Sequence, residues 1–145
     1  MELRKLDLED MNALKQFYQN NPLNEDREDL EDRQEEIEEE LRINKFQYFG
    51  YLEEDELLGY GKLRCEGEEA HFIGPFVLPS KRRRGIGKEI LNHIESHCRK
   101  KGKIRLNAYS FIDTNLATDF LTSQGYKLES VDELGVNVYT KEFTN

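Results

Sequence analysis

The chain lacks any apolar run approaching the ~20 residues that cross a bilayer as a helix, so no helical membrane span is expected. Its opening stretch, MELRKLDLED, has no apolar segment behind its charges, and no secretory signal peptide is expected. Cysteine is scarce: Cys65 and Cys98 are too few for a disulfide framework and do not form a metal-type spacing. A reduced, cytoplasmic protein follows as the expectation. Internal repeats, low-complexity linkers and compositional breaks are absent, so residues 1–145 are expected to form one domain, long enough to bury a real core. With 37% hydrophobic against 35% charged residues the chain is polar. Its seven tyrosines and eight phenylalanines, spread along the length, argue against disorder.

What the sequence does have is charge sorted into blocks. The formal net charge is −9, and residues 24–40 alone carry eleven acidic groups against two arginines. Residues 81–105 carry ten Lys/Arg against Glu89 and Glu95. Such segregation says more about ligands than the average does.

Periodicity orders the elements. Glu2–Leu6 reads as a strand, and Asp7 with Asp10 makes a box-like cap for a helix carrying Met11, Leu14, Phe17 and Tyr18. Asn20-Asn21-Pro22 stops it, and Asn24 can cap a second helix with a thin stripe of Leu30, Ile37 and Leu41. The acidic remainder of that helix is either a solvated face or a wall that attracts a cationic substrate. Phe46–Leu52 and Glu56–Cys65 read as a hairpin; Gly59 and Gly61 on its second strand mark a twist adjustment or the close approach of another group. Ala70–Leu78 is a strand interrupted by Gly74-Pro75, where ladder pairing must lapse because proline has no N–H. A helix carrying Ile86, Ile90, Leu91, Ile94 and Cys98 follows and ends at Gly102. Lys103–Tyr109 returns as a strand, which makes a parallel strand–helix–strand unit with a right-handed crossover. Asp113 or Thr114 caps a short helix with Leu116, Ala117, Phe120 and Leu121 inward. It closes at Gly125, and Tyr126–Val131 with Val136–Phe143 forms a last hairpin.

The stretch Val77–Leu91, VLPSKRRRGIGKEIL, stands out. A strand end, four consecutive basic residues, two glycines and a helix N-terminus make a place for an anion. A P-loop would need glycine where Arg82 stands and a hydroxyl where Glu89 stands. A dinucleotide fingerprint would need glycine at Ile90. Both fail.

What remains, Arg82-Arg83-Arg84-Gly85-Ile86-Gly87 after a strand ending in Val-x-Pro, fits Gln/Arg-x-x-Gly-x-Gly/Ala. With the element order β-α-α-β-β-β-α-β-α-β-β over essentially the whole chain, it resembles the GNAT family of N-acetyltransferases. The resemblance implies an α+β fold, layered α/β/α. Its central sheet would be mixed and mostly antiparallel, with the parallel strand–helix–strand unit and splayed central strands. It implies acetyl-CoA as cosubstrate, with no metal. Backbone groups of Phe76, Val77 and Leu78 would pair with the pantetheine arm. Amides of Arg84, Gly85, Ile86, Gly87 and Lys88 would hold the pyrophosphate, and the Arg82 and Arg83 side chains would reach phosphates, the 3′-phosphate included. The family often has Arg-Gly where Arg82 and Arg83 stand. Its later motif, Asn-x-x-Ala-x-x-(apolar)-Tyr-x-x-x-Gly-Phe, aligns at Ala117, Phe120 and Gly125-Tyr126, which adds Thr114 and Asn115 to the expected cofactor contacts. The tyrosine that many members use as general acid is Leu121 here.

Acetyl transfer to an amine gains from a base for the amine and a proton donor for the thiolate. His71, on the strand that feeds the basic loop, is the candidate base, since histidine titrates near neutrality. Tyr109, at the end of the next strand, is the candidate donor. Each has the alternative of a structural role. His93 and His97 are four apart but have no evident third ligand, so a structural role is expected. The leading expectation is an N-acetyltransferase acting on a primary amine, small molecule or peptide, with the acidic helix favouring a cationic acceptor and a homodimer open. The alternative is a CoA-binding module with little turnover. Nucleic-acid binding through residues 81–105 is disfavoured by the acidic block and the absence of a known motif.

Overall fold

The computed structural model describes residues 1–20, 29–43, 45–110, 115–133 and 135–143. In chain order these hold β1 (Glu2–Leu6), α1 (Met11–Gln19), α2 (Asp29–Ile43), β2 (Gln47–Glu53), β3 (Glu56–Glu66), β4 (Glu69–Val77), α3 (Ile86–Lys100), β5 (Arg105–Ser110), α4 (Asn115–Ser123), β6 (Lys127–Val131) and β7 (Asn137–Glu142). Short 3-10 turns precede α1 and follow β4. The sheet order is β1-β2-β3-β4-β5-β7-β6; β4 and β5 pair in parallel, whereas β1–β2, β5–β7 and β6–β7 are antiparallel. This is the mixed α+β architecture that the element order implies. The caps expected at Asn24, Asp113 and Thr114 lie outside the described residues.

Two compact units divide the chain, residues 1–62 with 75–91 and residues 63–74 with 92–145. In the first, Asp7 accepts from the Glu9 amide at 2.9 Å while Asp10 accepts from the Asp7 amide at 2.9 Å, the reciprocal cap expected. Asp10 also takes a two-pronged bond from Arg4 at 2.7 and 2.9 Å, which holds its carboxyl below the usual carboxylate range. Leu6, Leu14, Phe17, Leu57, Leu58 and Ile90 are buried together with Tyr48 and Tyr60. Each fully buried aliphatic side chain contributes ~1.5–3 kcal/mol. The β2–β3 turn places both Glu54 (φ +51) and Asp55 (φ +66) in the left-handed region, as a two-residue hairpin turn requires.

In the second unit, alternation along β4 and β5 decides which side chains are covered. Ala70, Phe72, Leu106 and Ala108 are fully buried on one face. His71, Ile73 and Tyr109 stand half-buried on the other. Glu95 of α3 is buried beneath Tyr126 and Lys141, which bond to it at 2.9 and 3.0 Å. Gly102 (φ +75) and Gly125 (φ +92) end α3 and α4 in the left-handed conformation.

Candidate functional site

The parallel register of β4 with β5 runs from Glu69↔Arg105 to Ile73↔Tyr109. The next residue, Gly74, has φ +133, a conformation side chains rarely adopt, and Pro75 has no N–H to give. The lapse in pairing read from Gly74-Pro75 is therefore present. Beyond it, the Leu78 amide donates to the Leu58 carbonyl at 3.0 Å. Backbone groups of successive strand residues face opposite ways. Leu78 and Phe76 therefore point theirs at β3, and Val77 points its N–H and C=O away from β3. Of the three residues expected to pair with an extended ligand, Val77 has the backbone groups facing outward. The Leu78 donor is already used.

Gly59 explains how α3 comes so close. A Cβ there would lie 3.0 Å from the Phe76 carbonyl oxygen, 3.0 Å from Ile90 Cδ1 and 3.1 Å from Ile86 Cγ2. Its missing side chain lets the first turn of α3 and the end of β4 sit on β3, which is the close approach considered for this glycine.

The basic loop has two left-handed residues, Arg83 (φ +67) and Gly85 (φ +80). A Cβ on Gly85 would meet nothing within 4 Å, so the space in front of it is open. The Glu89 amide makes the first helical bond, to Gly85 O at 3.0 Å. The amides of Ile86, Gly87 and Lys88 thus have no acceptor within the helix. Arg82, Arg83 and Arg84 are exposed, and Arg84 pairs with Glu53 at 3.5 Å.

His71 and Tyr109 are brought together: His71 Nδ1 lies 2.8 Å from the Tyr109 hydroxyl, and its Nε2 lies 3.7 Å from Glu66. The carboxylate favours the proton on Nε2, leaving Nδ1 to accept from the phenol. Burial, followed by the nearby charges of Glu69 and Glu66 against Arg64, raises the Tyr109 pKa, so the hydroxyl stays protonated at neutral pH. Leu121, at the position of the family's tyrosine, is 2% exposed on α4. Thr114 lies outside the described residues, and Asn115 opens α4.

The acidic helix is less uniform than its sequence. Glu35, Glu36 and Glu39 are exposed, but Glu40 is buried, accepts from the Tyr48 hydroxyl and pairs with Lys62 at 3.3 Å. Tyr48 stacks on Tyr60 at 5.9 Å between centroids, and Tyr60 meets Phe17 at 5.2 Å and Phe76 at 5.1 Å. Sequence periodicity could not reveal this cluster, because its members come from α1, α2, β2, β3 and β4. An open groove of about 580 Å³, lined by Arg4, Asp10, Gln16, Leu52 and Asp55 among others, contains none of the expected site residues. Among the described residues, no group of three His, Cys, Asp or Glu side chains could hold a metal, and no helix is long and apolar enough to cross a membrane.

This arrangement, a parallel strand–helix–strand unit with an anion-ready loop after an interrupted strand, defines a fold shared with acyltransferases. Residues 9–126 match the Acetyltransferase (GNAT) family, and the chain belongs to that family. No curated protein matches the sequence. Among solved structures, PaiA N-acetyltransferase from Thermoplasma acidophilum in complex with coenzyme A is 21% identical, with a TM-score of 0.83 and 98% of each chain covered. An acetyltransferase from Thermus thermophilus is 18% identical with a TM-score of 0.86, over 98% of this chain and 96% of that one. Ribosomal-protein-alanine N-acetyltransferase from Brucella melitensis is 19% identical with a TM-score of 0.75, over 99% and 100%. These likenesses show the fold.

The loop fits the phosphates of CoA. It combines amides without an acceptor inside the helix, an unobstructed left-handed glycine and exposed arginines.

Proposed function

We propose that this chain, as one domain over residues 1–145, is an acetyl-CoA-dependent N-acetyltransferase that passes the acetyl group directly to a primary amine. The observation that carries it is the 82–88 loop, open before Gly85 at the start of α3, in a chain that belongs to this family. The N-acetyltransferase names of two structural neighbours support nitrogen as the acceptor atom. The exposed thiol of Cys65 suits a reducing cytoplasm.

In this reading the amides of Arg84 to Lys88 bind the pyrophosphate, Arg82 and Arg83 add charge, and Val77 pairs with the pantetheine arm as an added strand would. Thr114 and Asn115 are assigned to the same ligand. The amine nitrogen attacks the thioester carbon, the C–N bond forms, the C–S bond breaks, and the thiolate leaves. His71 and Tyr109 exchange the protons: the amine gives one up and the thiolate takes one, so acetamide and CoA thiol are the products. Exposed Glu35, Glu36 and Glu39 favour a cationic acceptor, a small polyamine or a basic peptide end.

Calorimetry with acetyl-CoA tests the first half; no binding at millimolar ligand refutes it. Thiol release over a panel of amines tests the second. A second reading, a CoA-binding module with little turnover, draws on buried Leu121 where the family's acid usually stands. Rapid turnover with any amine removes it.

A further inference from the structure

We infer that Glu66 is a positioning residue for the proposed acetyl transfer, acting through His71 by answering the charge that the imidazole carries while it stores the shared proton. The inference rests on the proton exchange proposed for His71 and Tyr109 and adds a third residue to it. It begins with the turn between β3 and β4. Glu66 is the last residue of β3, and Gly67, at φ +57, turns the chain towards β4. That turn is fastened to the lead-in of β5. Lys103 Nζ donates to the Gly67 carbonyl at 2.6 Å, and the Ile104 amide donates to the Glu68 carbonyl at 2.8 Å. β5 carries Tyr109, and its parallel register with β4, His71↔Asn107 and Ile73↔Tyr109, sets the imidazole beside the phenol. The end of β3, the ring and the phenol are thus held on one frame.

Both ring nitrogens are therefore engaged. Nδ1 lies 2.8 Å from the Tyr109 hydroxyl, and Nε2 lies 3.7 Å from Glu66 Oε2. Arg64, two residues back and so on the same strand face, is 3.4 Å from that carboxylate oxygen and steadies it. At 3.7 Å a neutral N–H gains little from a carboxylate, whereas an imidazolium gains an ion pair. In the exchange the amine gives its proton to the Tyr109 oxygen as the Tyr109 proton moves to Nδ1. Nε2 keeps its own proton, so the ring becomes an imidazolium. When the thiolate takes the phenol proton, Nδ1 returns its proton to the phenolate oxygen and the ring is neutral again. The attraction of Glu66 is at full strength only while the proton is stored. An interaction of that kind raises kcat and leaves substrate binding alone. The Glu66 side chain is 69% exposed, so water weakens the pair to an effect of about two- to fivefold.

Exposure also makes a clean test, because substitution at an exposed position leaves folding intact. The measurement is steady-state thiol release on the full chain, with acetyl-CoA and spermidine or, where spermidine is not accepted, the fastest amine of the panel. Glu66→Gln removes the charge at nearly constant size. It is expected to lower kcat by about two- to fivefold with both KM values unchanged. Glu66→Asp keeps the charge one bond further away and should lie between. In a His71→Gln chain no imidazolium forms, and there Glu66→Gln should leave kcat as it finds it. An unchanged kcat in Glu66→Gln overturns the inference. A raised amine KM with unchanged kcat also overturns it and makes Glu66 an acceptor contact instead. An equal loss in the His71→Gln chain shows that Glu66 does not act through the ring, and overturns it too. Acetyl transfer stands in all three cases. Undiminished turnover in His71→Gln, or no wild-type turnover with any amine, overturns the proposed proton exchange itself and this inference with it.

Discussion

Removing one hydroxyl, by Tyr126→Phe, tests how the second half of α3 is tied to the C-terminal hairpin. Tyr126 is 2% exposed, and its hydroxyl donates to Glu95 at 2.9 Å. Burial and the Glu95 charge push the phenol far up its titration range, so it is a donor at every working pH. Glu95, 4% exposed, also takes Lys141 at 3.0 Å and has Arg99 at 3.9 Å. A hydrogen bond to a charged group contributes about 1.5–3 kcal/mol. Because Lys141 keeps Glu95 partnered in the variant, the lower end applies, about 1.5 kcal/mol. For a chain of this length the unfolding entropy is ~0.3 kcal/mol per degree, so Tm should fall by about 5 °C. Glu95→Ala should cost more, about 3 kcal/mol, because it orphans the buried hydroxyl and takes a partner from Lys141. Lys141 retains the Gln124 carbonyl at 2.9 Å, which limits the loss. The double variant should cost less than the two single losses added, by about 1 kcal/mol. The chain has no tryptophan, so urea unfolding is followed by circular dichroism. A Tyr126→Phe midpoint indistinguishable from wild type, or strict additivity, refutes the account.

Gly59→Ala should destabilise the chain by about 1–3 kcal/mol and weaken acetyl-CoA binding together, because the new Cβ presses on the Phe76 carbonyl and the first turn of α3. Undisturbed calorimetry and thermal melts contradict that. The bond from Arg4 is the main cause of the lowered Asp10 pKa; its stabilisation is full above the unfolded carboxyl pKa and is lost as pH falls through the lower folded value. Asp10→Asn should therefore lose less stability than wild type between about pH 5 and about pH 3 in urea titrations. Burial pushes the Cys98 thiol up to about 12, whereas Cys65 is exposed. A thiol reagent at neutral pH should label one cysteine in the native chain and two after denaturation.

Much of the fold was legible because local rules and global order agreed. Asp7 and Asp10 marked a helix start, Gly102 and Gly125 marked ends, and Gly74-Pro75 marked the lapse in β4. The basic loop before α3 was legible for the same reason: glycines, arginines and a helix start are consecutive in sequence. What escaped was three-dimensional. Nothing in the run of acids on α2 distinguishes Glu40, which is seated under Tyr48 and Lys62, from exposed Glu35, Glu36 and Glu39. Glu95 entered the sequence reading only as one of two acids counted against ten Lys/Arg, yet it is the acceptor for two distant side chains. One signal was available: tyrosine at 126 stands where the family has phenylalanine, and a buried hydroxyl needs an acceptor. The backbone direction of Val77 against Phe76 and Leu78 depended on register with β3, which no periodicity fixes.

The proposed proton exchange has a difficulty that the geometry answers. Tyr109, with its pKa raised, is a weak acid for a departing thiolate. Its hydroxyl lies 2.8 Å from His71 Nδ1, and with the imidazole proton on Nε2 the hydroxyl is the donor. Because Nδ1, the ring nitrogen able to take a proton, is covered by that hydroxyl, the amine proton passes to the Tyr109 oxygen as the Tyr109 proton moves to Nδ1, and the imidazolium so formed makes the phenol a stronger acid towards the thiolate. Base and acid are then one unit, in which taking the first proton prepares release of the second. Residues that act as a unit are non-additive. His71→Gln and Tyr109→Phe should each lower kcat by about a hundredfold, and the double variant should lower it hardly further. Single losses that multiply in the double variant would show two independent groups. Activity untouched by either substitution would return both side chains to a structural role and leave the proton donor to be found elsewhere.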